Sequence, residues 1–272
     1  MIEKKYRILN KILHLSPADG IVLPDCFERF ECCADEKADI VFLTDLADDA
    51  HKCYGLQYLS GNGEKIKNVF FSQKDRRQML YSCTDDYSEL HLQLDSNCEK
   101  NILSELLIAG FYSYMSLRDA LLMHASAVCF NDKSIVFTAA SGVGKTTQAE
   151  LWQKYRNATV INGDKVFLTR ESDKILAWGS PWNGSSSYAE NIGAEAAAII
   201  VLEQAEENSI RKLSGMEVLE KLLPHTFFPN WDAQCERAVL DLLNEILVKT
   251  NVYLLSCRPD EDAVALVEKT VF

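Results

Sequence analysis

Through residues 1–95 the apolar residues come in short runs broken by polar turns. Ile21-Val22-Leu23, Ile40-Val41-Phe42-Leu43, Val69-Phe70-Phe71, Met79-Leu80-Tyr81 and Leu90-His91-Leu92-Gln93-Leu94 have the length and composition of β-strands. Gly61-Asn62-Gly63 and Asp85-Asp86 separate them as turns. The last run alternates apolar and polar residues, which predicts a strand with one wet face. At Ser96 the period changes. Ser96-Asn97-Cys98-Glu99 is a capping box, and Ile102, Leu103, Leu106, Leu107, Phe111 and Met115 recur at helical spacing, predicting a helix over 97–120. A strand over 121–130 and a turn at Asn131-Asp132-Lys133 follow, then an apolar strand, Ser134-Ile135-Val136-Phe137. Further strands are predicted at 158–161, 165–169, 175–178, 196–202 and 252–256. Helices are predicted from the box Ser214-x-x-Glu217 to Pro224, over 231–249, and after Pro259. The pattern divides the chain into a strand-rich module at 1–95, a connecting helix at 96–120 and an α/β domain at 121–272.

The strand at 134–137 runs into Thr138-Ala139-Ala140-Ser141-Gly142-Val143-Gly144-Lys145-Thr146-Thr147, and Gln148-Ala149-Glu150-Leu151-Trp152 leads out with helical character. Strand, glycine loop, Lys-Thr and helix are the context of a phosphate-binding P-loop. Backbone N–H groups of 140–147 would cradle phosphates, aided by the positive end of the helix. Lys145 would reach the β- and γ-phosphates, and Thr146 would hold Mg²⁺. The consensus GxxxxGK[ST] puts glycine where this chain has Ala139, and alanine lacks glycine's freedom at positive φ.

Composition narrows the function classes. The net charge is −12 over 272 residues, and residues 1–120 and 121–272 each carry 14 basic and 20 acidic residues. Without a basic cluster, nucleic acid and anionic membrane surfaces are not expected as partners. No apolar run approaches a membrane span, and the first residues do not form a signal peptide. Nine cysteines without C-x-x-C spacing predict reduced thiols in a cytoplasmic protein and no zinc site.

Three pieces together suggest a family. His124-Ala125-Ser126-Ala127-Val128 precedes the P-loop, with the histidine 21 residues before Lys145; Ser141-Gly142-Val143-Gly144-Lys145-Thr146 follows; Asn162-Gly163-Asp164 ends what is expected to be the adjacent strand. Over about 121–268 the chain resembles the HPr serine kinase/phosphorylase family and, more distantly, ATP-dependent phosphoenolpyruvate carboxykinase. HPr-kinase-like enzymes of bacterial peptide-modification gene clusters share that fold. The resemblance implies a kinase that uses ATP and Mg²⁺ to phosphorylate a serine-type hydroxyl of a protein or peptide. It implies that His124 lies near the transferred phosphate, and that Asp164 stands for one of two paired aspartates, one a base on the acceptor and the other a metal ligand. Gly163 occupies the place of the second. Glu190, followed by Gly193, resembles the family's metal-binding glutamate, and Pro181-Trp182-Asn183-Gly184 resembles a loop of the peptide-cluster relatives. Lys145, Asp164 and His124 are thus the expected catalytic residues; Thr146, Asp164 and Glu190 are the expected metal ligands. The resembling kinases often form rings, which admits a homo-oligomer.

Other readings stay open. Ala139 and Gly163 both erode the consensus, as in a nucleotide-binding regulator without catalysis. A carboxykinase is disfavoured by the short chain and the lack of a basic carboxylate-binding cluster. Ordinary guanylate or sugar kinases of the P-loop class would lack a histidine strand before the loop.

Overall fold

A computed structural model describes residues 4–16, 25–46, 57–61, 64–72, 78–94 and 100–272. The chain forms two units: residues 1–118 with 229–235, and residues 119–228 with 236–272. The expected strand at 21–23 and the capping box at 96–99 lie outside the described residues.

In the first unit seven strands form one sheet: β1 (Lys4–Ile8), β2 (Lys11–Ser16), β3 (Ile40–Leu46), β4 (Gln57–Gly61), β5 (Glu64–Ser72), β6 (Gln78–Thr84) and β7 (Glu89–Leu94), in the order β1-β2-β3-β7-β6-β5-β4. The β1–β2 hairpin was not legible, because Lys4, Arg7, Lys11 and His14 interrupt its apolar residues. Helix α1 (Lys100–Ser116) buries Leu103, Leu106, Leu107, Phe111 and Met115, the residues its period picked out. It groups with this unit rather than standing between units, and ends at Ser116. The segment 229–235 also groups here: the Tyr87 hydroxyl donates to Asp232 at 2.7 Å, and the Trp231 indole donates to Ser113 at 3.1 Å.

The second unit is mixed α/β. It contains β8 (Ala120–Phe130), β9 (Lys133–Thr138), α2 (Lys145–Arg156), β10 (Thr159–Asn162), β11 (Lys165–Glu171), β12 (Lys174–Trp178), β13 (Gly193–Gln204), β14 (Ser209–Lys212), α3 (Met216–Leu222), most of α4 (Ala233–Lys249), β15 (Asn251–Cys257) and α5 (Glu261–Val271). β9, β13 and β15 are mutually parallel neighbours, with β13 in the middle. Asn131 and Asp132, both at positive φ, make the two-residue turn that folds β8 back onto β9. The other edge of β8 carries β10 and then β11, in nearly continuous register around Gly163-Asp164.

This corrects the expectation that 134–138 and 159–161 are neighbouring strands. The hairpin claims the near edge of β8 for β9, so β10 takes the far edge and β8 stands between them. Helix α2 spans the gap. It packs on β8, buries Ala149 and Trp152 in the core with Val128, Phe137, Ile200 and Val264, and is tied to the strand by a hydrogen bond from the Ser126 hydroxyl to the Lys145 carbonyl at 2.7 Å. A second correction concerns Ser214: α3 is capped by Gly215 at φ 60, with no side-chain cap, and Glu217 pairs instead with Arg211.

Candidate active site

The loop after β9 has Gly142 at φ +80 and Gly144 at φ +125, both conformations that a side chain would strain. Ala139 is not among the residues at positive φ; it is buried in the core beside Phe137 and Ala149. The missing consensus glycine therefore costs the loop no backbone strain. Ala140, Ser141, Gly142 and Thr147 are exposed, while Val143, Gly144 and Thr146 are half-buried. The first turn of α2 has no side-chain cap and no acid, which leaves its N–H groups for an anion.

Lys145 lies at the junction of the loop and α2. It is 7% exposed, and its ammonium donates to the carbonyls of Ala139 at 3.1 Å and Ala140 at 3.4 Å. The first residue of α2 lies over β8, so its stem packs inward and only its head follows the loop. Burial lowers its pKa from the ordinary lysine value, against the attraction of Asp164.

Asp164 is reached across β8. The Thr146 hydroxyl donates to the Gly163 carbonyl at 3.3 Å. The Asp164 carboxylate meets His124 Nε2 at 3.0 Å and Lys165 Nζ at 2.6 Å. Burial pushes its pKa up, but the hydrogen bonds from His124 and Lys165 outweigh burial and hold it well below the usual carboxylate range. The backbone irregularity that aims Asp164 rests on Asn162, which is fully buried. Its side-chain oxygen accepts from the N–H groups of Asp164 and Lys165, both at 2.8 Å, and its amide donates to the carbonyls of Ser180 and Trp182. Sequence reasoning assigned Asn162 no role; the only signal was an Asn-Gly-Asp triplet ending an apolar strand.

The loop after β12 closes over this carboxylate. Trp182 is 5% exposed and packs near Phe167, so it is a core anchor rather than a wall of the site. Gly184, at φ +59, approaches so closely that a Cβ there would lie 2.7 Å from Asp164 Cγ. Ser186 occupies the space beside Gly163: a Cβ on Gly163 would meet the Ser186 hydroxyl and lie 2.6 Å from its Cβ. Ser186 is held there by a hydrogen bond to the Asn183 carbonyl at 2.9 Å. The space beside Gly163 is thus filled by a serine from another loop.

Glu190 is fixed through its backbone, its N–H donating to Ile161 at 2.9 Å. Among the described residues no three His, Cys, Asp or Glu side chains group as ligands for a metal ion.

Two further features were not foreseen. On the opposite side of β9 from Asp164, a cleft of about 360 Å³ opens between Gly142–Gly144 with Thr147 and Gln148, and the ends of β13 and β15 at 202–205 and 257–259. Gln148 is 3% exposed; its amide nitrogen donates to Cys257 Sγ at 3.3 Å, and among the described residues its oxygen has no hydrogen-bond partner. Burial pushes the Cys257 thiol up to about 11, so it stays protonated at neutral pH. The second feature is the segment Leu223–Phe227. Thr226 bridges Met123, and the Phe227 N–H donates to Leu122 at 2.9 Å. Phe227, 36% exposed, lies over the Lys165 ammonium at 4.8 Å from the ring centroid.

No family model matches the chain, and no curated protein matches it. Among solved structures it is similar to the Hpr(Ser) kinase/phosphatase of Coxiella burnetii, with 12% identity and a TM-score of 0.34, over 55% of this chain and 95% of that one. Among the described residues no helix is long and apolar enough to cross a membrane.

Proposed function

We propose that the second unit is an ATP- and Mg²⁺-dependent phosphotransferase acting on a serine-type hydroxyl of a protein or peptide. The observation that carries this reading is the convergence of Lys145, Thr146 and Asp164 about the middle of β8, from elements that are not adjacent in the sheet. The residues fit a magnesium nucleotide: uncapped amides and a lysine for phosphate oxygens, and a hydroxyl beside a carboxylate that stays ionised for the ion. Bound there, the metal would neutralise charge on the β- and γ-phosphates. Thr146 and Asp164 would hold it. His124 and Lys165 keep Asp164 ionised and oriented, and Lys145 exchanges its loop carbonyls for phosphate oxygens. The cleft beside the loop supports a nucleoside triphosphate over pyrophosphate as donor, since it adjoins the phosphate site and lies at the carboxyl ends of parallel strands. The resemblance noted in the sequence supports the hydroxyl acceptor.

One observation favours the alternative, a nucleotide-binding regulator: Ser186 fills the space of the second carboxylate. Incubating the protein with γ-labelled ATP, Mg²⁺ and serine-bearing peptides encoded beside its gene separates the two. Label in a peptide supports the kinase. Nucleotide-dependent thermal stabilisation with no transfer to peptide or water supports the regulator.

A further inference from the structure

Gly163 supplies no carboxylate, and Asp164, bonded to both His124 and Lys165, is a poor proton acceptor. The phosphotransfer reading therefore needs a base from elsewhere. The bridge between Met123 and Thr226 is antiparallel, which places His225 opposite His124. On the other edge of β8, Lys165 is the register partner of His124. Residues directly opposite one another in antiparallel strands project to the same face. His124 and Lys165, opposite one another in antiparallel strands, therefore project to one face of the sheet, and His225, the last residue of the short 3-10 helix Leu223–His225, lies beside His124 where the bridge at Thr226 meets the other edge of β8. Two positions on, Phe227 leans over Lys165, so the segment 225–227 borders the cluster.

We propose that His225 is the general base that takes the proton from the acceptor hydroxyl. The proposal rests on the phosphotransferase reading. As the acceptor oxygen bonds to the γ-phosphorus, the bond from that phosphorus to the β,γ-bridging oxygen breaks, the hydroxyl proton passes to a ring nitrogen of His225, and ADP leaves. His225 suits the task because its setting favours the neutral imidazole, the form that accepts a proton. Burial lowers its pKa below the ordinary histidine value, and its neighbours His124 on β8 and Lys145 at the start of α2 act in the same direction. Asp164 lies beyond His124 and is already committed to it and to Lys165. His124 is assigned instead to orienting Asp164, which it meets through Nε2.

The test uses water as the acceptor, so no partner need be known. Single-turnover hydrolysis of γ-labelled ATP with Mg²⁺ is measured from pH 5 to 9 for the parent, His225→Gln and His225→Ala, alongside ATP affinity and melting temperature. In the parent, hydrolysis should rise along a limb whose midpoint lies below about 6.5, the ordinary histidine value. Both variants should lose about 10²–10⁴-fold in rate together with that limb. Their ATP affinity should be unchanged, which a merely structural role would not predict. Parent hydrolysis with variants matching it in rate and pH profile would overturn His225 as base while leaving the phosphotransferase reading intact. A parent that binds ATP yet hydrolyses none across the range would overturn both. If both variants melt far below the parent and lose ATP binding, His225 is a structural residue and the proposal fails.

Discussion

His124 Nε2 lies 3.0 Å from Asp164 Oδ1, joining a residue in the middle of β8 to the turn between two strands on its far edge. The pair, with Lys165, sets the charge state of the site. Asp164 ionises more readily in the folded chain than in the unfolded one. It therefore contributes stability that is complete above the ordinary aspartate pKa of about 3.9 and is lost as pH falls through its lower folded value.

Asp164→Asn removes that contribution. The melting-temperature gap between parent and variant should be widest at neutral pH and shrink as pH falls below about 4. In the same variant, phosphoryl transfer should fall by about two orders of magnitude or more, and the Mg²⁺ requirement should rise. A gap that does not change with pH, or an unchanged Mg²⁺ midpoint, would show that Asp164 only shapes the turn.

Lys145→Ala should abolish the thermal shift that ATP produces. The substitution removes a buried charge along with two hydrogen bonds to loop carbonyls, so the opposing costs nearly cancel. The ligand-free melting temperature should move by only a few degrees, about 1 kcal/mol or less. Parent-like ATP binding, measured by titration calorimetry, would remove the P-loop reading.

Restoring the second aspartate by Gly163→Asp should not raise activity. The new side chain would collide with Ser186, and overpacking of this kind costs about 1–3 kcal/mol. Pairing it with Ser186→Gly should recover part of the loss, a coupling visible in a double-mutant thermal cycle. Additive effects would place Ser186 elsewhere than described.

Ala205→Trp fills the cleft beside the glycine loop and leaves the loop's own sequence unchanged. ATP affinity should fall by at least about tenfold, equivalent to 1.4 kcal/mol, while affinity for tripolyphosphate stays at the parent's value. Equal loss of both ligands would mean that the substitution distorts the phosphate loop, and loss of neither that no nucleoside sits in the cleft.

The strand, glycine loop and helix behind the P-loop reading were legible in the sequence because they are local: an apolar strand, two glycines that take positive φ, and Lys-Thr at a helix start are contiguous, and their spacing fixes their relation. The same holds for Asp164 at the end of a short buried strand. The strand-rich character of the first unit and the mixed α/β character of the second also follow from local period. Tertiary structure decided what depends on edges. Which strand lies beside β9 was settled by the turn at Asn131-Asp132, which gave one edge of β8 to β9 and left the other for β10 and β11. The space beside Gly163 was settled by a loop that brings Ser186 back against it. The position of His225 opposite His124 depends on a bridge closing about a hundred residues of intervening chain, which no window of sequence contains. Local chemistry is written in neighbouring residues, whereas a site assembled across a sheet is fixed only when each strand's hydrogen-bonding edge has found its partner.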